Sequence, residues 1–167
     1  MTRYSSIMEV DIMQTNIFRN IVYCTDFSEY ADDAFLVAKD LAWRYGAKLY
    51  IVHVAVNYSL SPPVHETYMP IEYDPNFMEE VANAARNSIQ TRYVAQLKES
   101  QHNSVHLLVG YPASEIVRFA DENDADLVVM GSHGLSGIAH TLFGSTADRV
   151  VQKAHCSVLA VRPKEKK

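Results

Sequence analysis

Little in this sequence would staple the chain or anchor it. Cysteine occurs only twice, as Cys24 and Cys156, which fits reduced thiols in a cytoplasm better than a disulfide framework. The longest apolar stretches are a few residues, and crossing a hydrocarbon core takes about 20, so no membrane insertion is expected. The N-terminus carries Arg3, Glu9 and Asp11 with no continuous apolar region behind them, unlike a secretory signal. Positive charge is also short, with 15 Lys and Arg against 20 Asp and Glu, a net −5. That deficit argues against nucleic acid or an anionic membrane as the main partner. Lysine is missing altogether between Lys98 and Lys153. What remains is an ordinary globular composition, 48% hydrophobic and 21% charged, in a chain of single-domain length.

From Asn20 onward, apolar runs alternate with helical patterns. Ile21–Cys24 is short and rich in strand formers, and Thr25-Asp26-Phe27-Ser28 ends it. Ser28 suits a helix N-cap, with Glu29, Asp32 and Asp33 placing negative charge near the first turn. Ala31, Ala34, Ala38 and Leu41 recur at helical spacing, and Gly46 can close that helix in the left-handed conformation. A second strand follows over Leu49–Val56. A long helix is predicted from Phe77 to about Glu99, carrying Val81, Ala85, Ile89 and Tyr93 on one side. Val105–Val109, Asp126–Met130 and Ser157–Arg162 read as three further strands. Pro112 opens a helix between the first two of these, and a helix from about Ser145 to Lys153 precedes the last. Such alternation predicts an α/β fold, a doubly wound, mostly parallel sheet with helices on both faces. The expected organisation is an arm over residues 1–18, one domain over 19–163 and a charged tail over 164–167. Between Asn57 and Asn76 lie four prolines and three tyrosines without periodicity. This connection reads as a surface insertion, with a lid as the alternative.

Ligands of open α/β sheets bind beyond the C-terminal ends of the strands, so the residues after each run carry the functional argument. Thr25-Asp26 follows the first strand, Gly131-Ser132-His133-Gly134-Leu135-Ser136-Gly137 the fourth, and Gly144-Ser145-Thr146 opens the last helix. The glycine segment matches neither the Walker loop nor the dinucleotide fingerprint. It keeps the ingredients of an anion site all the same. Glycines admit phosphate oxygens to the backbone N–H groups, and a helix start adds unpaired amides and hydroxyls.

The spacing Gly131-x2-Gly134-x9-Gly144-Ser145 resembles the nucleotide-binding pattern of the universal stress protein family, in its ATP-binding branch. Thr25–Glu29, His53-Val54, Gly110-x-Pro112, Met130–Gly134 and Ser157–Val161 resemble the family's other motifs, in order. The resemblance implies a five-stranded Rossmann-like sheet of order 3-2-1-4-5. It implies that Asp26 and Thr25 sit against an adenosine, and that the Val54 backbone pairs with the adenine edge. Met130 and Gly131 would line the ribose, His133 and Gly134 continue the phosphate loop, and Gly144, Ser145 and Thr146 hold the phosphates. It further implies a homodimer through Val158, Leu159, Ala160 and Val161, which would also cover an apolar edge strand.

The function expected is a cytoplasmic, nucleotide-dependent stress-response or signalling dimer that binds ATP, or else ADP or AMP, with magnesium accompanying the nucleotide. A slow ATP hydrolase or related nucleotide-using enzyme is the first alternative and a dimerisation module without nucleotide the second. Hydrolysis is expected to be slow at most, because no Lys or Arg lies between Arg118 and Arg149 to face a developing phosphoryl charge. Blander roles stand beside these: Ser145 as an N-cap paired with Asp148, Asp26 as a turn initiator, and Cys24 as a packing residue. His102 and His106 fall in a strand-like stretch and do not suggest a structural metal. His133, between two loop glycines, is the one histidine with a functional reading.

Overall fold

Each apolar run becomes a strand, and each lies parallel to its neighbours. A computed structural model of the chain describes residues 17–56, 75–134 and 143–163. The arm over 1–16, most of the proline- and tyrosine-rich connection, the stretch containing Leu135, Ser136 and Gly137, and the tail fall outside the described residues. The elements run β1 (Asn20–Thr25), α1 (Glu29–Tyr45), β2 (Lys48–Ala55), α2 (Pro75–Arg92), β3 (Asn103–Val109), α3 (Pro112–Glu122), β4 (Leu127–Gly131), α4 (Ser145–Lys153) and β5 (Ser157–Val161). The five strands lie in the order β3-β2-β1-β4-β5, parallel throughout. Fold class and strand order are as expected from the sequence.

Strand alternation sorts the core into two layers. Ile21 and Tyr23 of β1, Leu49 and Ile51 of β2, and Leu127 and Val129 of β4 share one face. They pack there on Ala34, Phe35 and Ala38 of α1 and on Ile89 and Tyr93 at the end of α2. Val22, Cys24, Val52, Val128 and Met130 point the opposite way, against Ile116 and Phe119 of α3 and Val150 of α4. Successive side chains of a strand point to opposite faces, so one apolar run feeds both layers. The edge strands are the exception. β3 is only half-buried along most of its length and β5 alternates exposed with half-buried residues, because among the described residues each has a strand on one side only.

Local chemistry sets the helix ends. Ser28 caps α1, its hydroxyl accepting from the Ala31 amide at 3.2 Å, and Glu29 and Asp32 face the positive end of the dipole. Gly46 closes the helix with φ 61°, where a side chain would be strained. The Asp126 carboxylate accepts from the Arg19 and Asn20 amides at 2.7 and 2.8 Å, joining the start of β1 to the approach to β4. One element departs from expectation. The predicted long helix ends at Arg92, and a 3-10 turn over Val94–Gln96 replaces its last part. Tyr93 at the break is buried to 1% exposure, with its ring packed edge-on to Tyr23 and tilted against Phe35.

His106 on the β3 edge packs against the rings of Tyr50 and Phe119 and pairs with the Ser104 hydroxyl at 2.9 Å. Burial, and then the nearby Lys48 ammonium, holds its imidazole below the ordinary value of 6.5. As pH falls, the unfolded chain therefore takes up this proton first. The stability involved is complete above 6.5 and is lost as pH drops toward the lowered folded value. Urea melts of wild type and His106→Gln should show the variant less stable at pH 7.5, with the gap narrowing at pH 5.5.

Candidate functional site

The C-terminal ends of β1, β2 and β4 open onto one cavity of about 340 Å³, a size that suits a small ligand. Thr25 and Asp26 border it from β1, Val54 from β2, and Met130 and Gly131 from β4. His133 and Gly134 border it from the loop after β4, and Gly144, Ser145 and Thr146 from the start of α4. All ten residues that the resemblance places against a nucleotide thus border one rim. Pro112 and Ile116 of α3 and Val52 and Val56 near the end of β2 complete an apolar wall. They had signalled only a helix start, a helical period and a strand.

At the polar end the backbone carries the donors. Gly144 is the N-cap of α4, with φ −67° and ψ 158°, and no side chain caps that helix. Its own amide is spent on the Ser132 carbonyl at 2.8 Å, and its carbonyl accepts the first helical bond, from the Asp148 amide at 3.0 Å. The amides of Ser145, Thr146 and Ala147 precede that first bond, at the positive end of the helix dipole. Ser145 is therefore the first helical residue rather than the cap, and the capping pair with Asp148, its blander alternative, does not form. Asp148 instead accepts from the Gln152 side chain at 2.8 Å.

Asp26 initiates the turn into α1 and also borders the cavity. Its Oδ1 accepts from the Ser28 amide at 3.1 Å and from the Ser28 hydroxyl at 2.6 Å, which builds the turn into α1. Its Oδ2 faces Gly134 so closely that a Cβ there would overlap it. Thr25 borders the cavity, but its hydroxyl is committed elsewhere, accepting from the Phe27 amide at 3.0 Å and lying 2.8 Å from the Tyr93 hydroxyl. Its carbonyl accepts from His53 Nδ1 at 2.8 Å, so the imidazole carries a proton on that nitrogen. The His133 ring lies 5.4 Å from the Tyr30 ring, with Nδ1 3.1 Å from the Ser132 hydroxyl. Cys24 lines the cavity floor; burial, and then the neighbouring Cys156, pushes its thiol well above the ordinary range. It is a neutral packing group. Among the described residues no three His, Cys, Asp or Glu side chains gather into a metal-binding group, and no helix is long and apolar enough to cross a membrane.

The two loop glycines do different work. A Cβ on Gly131 would lie 2.8 Å from Tyr30 Cβ and 2.9 Å from its carbonyl carbon, so the end of β4 approaches α1 with no space for a side chain. A Cβ on Gly134 would meet only the tip of a carboxylate.

Residues 17–162 match the model of the Universal stress protein family. Among curated relatives, the Methanocaldococcus jannaschii universal stress protein MJ0531 is 33% identical over 90% of this chain and 86% of its own length. A Thermus aquaticus universal stress protein is 33% identical over 87% of this chain and all of its own length. Among solved structures, M. jannaschii MJ0577 superposes with a TM-score of 0.75 at 25% identity, covering 90% of this chain and 99% of its own. A universal stress protein solved in complex with cAMP superposes with a TM-score of 0.57 at 26% identity, over 87% of this chain and 97% of its own.

Gly131→Ala should cost about 1–3 kcal/mol through overpacking, and Gly134→Ala should cost less, because only the tip of the Asp26 carboxylate must give way. Denaturant titration of the two variants checks this division.

Proposed function

The chain belongs to the universal stress protein family, and from that premise we propose that it binds an adenine nucleotide and acts as a nucleotide-dependent dimer in stress response or signalling. The observation that carries this reading is the pairing, in one cavity, of an apolar slot with a cradle of main-chain donors. A flat base fits between the α3 wall and the ends of β1 and β2. The phosphates fit the α4 amides and the Ser145 and Thr146 hydroxyls, because anions are favoured at a helix N-terminus. Gly134 and Gly144 suit the same cradle, since a Cβ on Gly144 would crowd the His133 backbone at 3.3 Å. The relative solved with cAMP supports the adenine-nucleotide class. ATP, ADP and AMP share the groups that this cavity would read.

No Lys or Arg is among the residues lining the described cavity, so the charge of a triphosphate would be met by amides, hydroxyls and a magnesium ion entering with it. Phosphoryl transfer draws on cations aimed at the developing charge. We therefore read the site as one that holds a nucleotide and hydrolyses it slowly at most. The dimer would form along the outer edge of β5, which pairs only with β4 among the described residues, through Val158–Val161, where Leu159 is 37% exposed.

Isothermal titration with ATP, ADP, AMP and cAMP tests the reading, which requires saturable binding of at least one of them; no uptake at millimolar ligand overturns it. ATP turnover should stay below about 1 s⁻¹, the bottom of the usual enzyme range. Native mass spectrometry should show a dimer for wild type and a monomer for Leu159→Glu.

A further inference from the structure

Thr25 is the last residue of β1, and its side chain lies on the α1–α2 face of the sheet, behind the cavity wall. Three more groups continue from its hydroxyl. The Tyr93 hydroxyl lies 2.8 Å from Thr25 Oγ1 and donates to Asp32 Oδ1 at 2.8 Å. The other oxygen of Asp32 accepts from Arg92. The Asp32 carboxylate takes the one hydrogen of the Tyr93 hydroxyl, so Thr25 is the donor in the Thr25–Tyr93 pair, while the neighbouring Tyr23 hydroxyl donates to the Ala31 carbonyl at 2.9 Å. Thr25 Oγ1 in turn accepts from the Phe27 amide at 3.0 Å. The result is a one-way chain, from a main-chain N–H through two buried hydroxyls to a half-exposed ion pair. Bonds aligned in one direction polarise and strengthen each other.

The chain ends on an unfavourable piece of backbone. Phe27 has φ 64°, a conformation that costs a bulky residue energy unless its surroundings hold it. Its ring is packed 4.6 Å from the His53 ring, and the Arg92 guanidinium lies 5.6 Å from its centroid. Phe27 follows Asp26, so the conformation held there sets where the Asp26 carboxylate stands against Gly134.

We propose that Tyr93 is a positioning residue of the nucleotide site, its hydroxyl closing the Phe27–Thr25–Tyr93–Asp32–Arg92 chain that holds the β1–α1 turn and the Asp26 carboxylate in place. The proposal rests on the nucleotide-binding reading above. It makes Tyr93 act through Asp26, with no contact to the ligand of its own.

A double-mutant cycle with ATP as the probe tests this. Tyr93→Phe should weaken ATP binding about 3- to 10-fold, the size of one hydrogen bond's net contribution. In an Asp26→Asn background the same change should cost less than about 2-fold, because residues acting as one unit are not additive. Asp32→Asn, at a half-exposed position, should show the same non-additivity with a smaller loss. Full losses that simply add overturn the proposal, since a general loss of stability would not distinguish the two backgrounds. Amide exchange on ligand-free protein supplies the second readout. In Tyr93→Phe, exchange at the Phe27 amide should rise about tenfold relative to Ala38 in the middle of α1; an unchanged ratio overturns the proposal. Should wild type take up no ATP, the nucleotide reading falls, and the exchange ratio alone decides the role of Tyr93 in holding the turn.

Discussion

β1 is hydrogen-bonded to β2 along one edge and to β4 along the other, and all three run the same way. Parallel neighbours cannot be joined by hairpins, so each is reached by a helix crossing one face of the sheet. α1 packs on one face and α4 on the other. The chain therefore leaves β1 and β4 in opposite directions, and the gap between the departing segments is the cavity. The apolar layers are buried on both sides for the same reason, so the packing that stabilises the sheet also produces the opening at its rim.

At that rim the donors are main-chain amides at the start of α4, and no Lys or Arg is among the residues lining the described cavity. The arrangement depends on close approaches made without a Cβ, and these differ in what they touch. Gly131 lets the end of β4 settle against the first turn of α1, while Gly134 leaves room for the carboxylate of Asp26. One glycine serves the architecture and the other the cavity. Both duties sit within one short loop, so its spacing reads as a single motif.

Much of this was legible in the sequence because the deciding signals are local. The caps of α1 at Ser28 and Gly46, the apolar runs and the start of α4 depend on neighbouring residues and fell within a residue or so of their places. The edge strands were less legible, since only topology tells which run lacks a partner. The break after Arg92 was hidden too, because a helical apolar period continues through Tyr93, and what holds that residue is its burial among distant rings. Thr25 illustrates the limit best. Its position after a strand marked it as facing a ligand, but its hydroxyl bonds to a residue 68 positions away. Ser145 misleads for a different reason. A serine at a helix start normally caps it, and here Gly144 occupies that place.

Cys24 on the cavity floor has one more consequence. Peroxides and electrophiles attack the thiolate, and burial leaves almost none of it at neutral pH. Cys156 is held in its thiol form for the same reason, through its own partial burial. Cys24 therefore presents its sulfur to the cavity as bulk, slow to form a sulfenic acid or an adduct, and leaves the thioether of Met130 as the oxidisable sulfur of the lining.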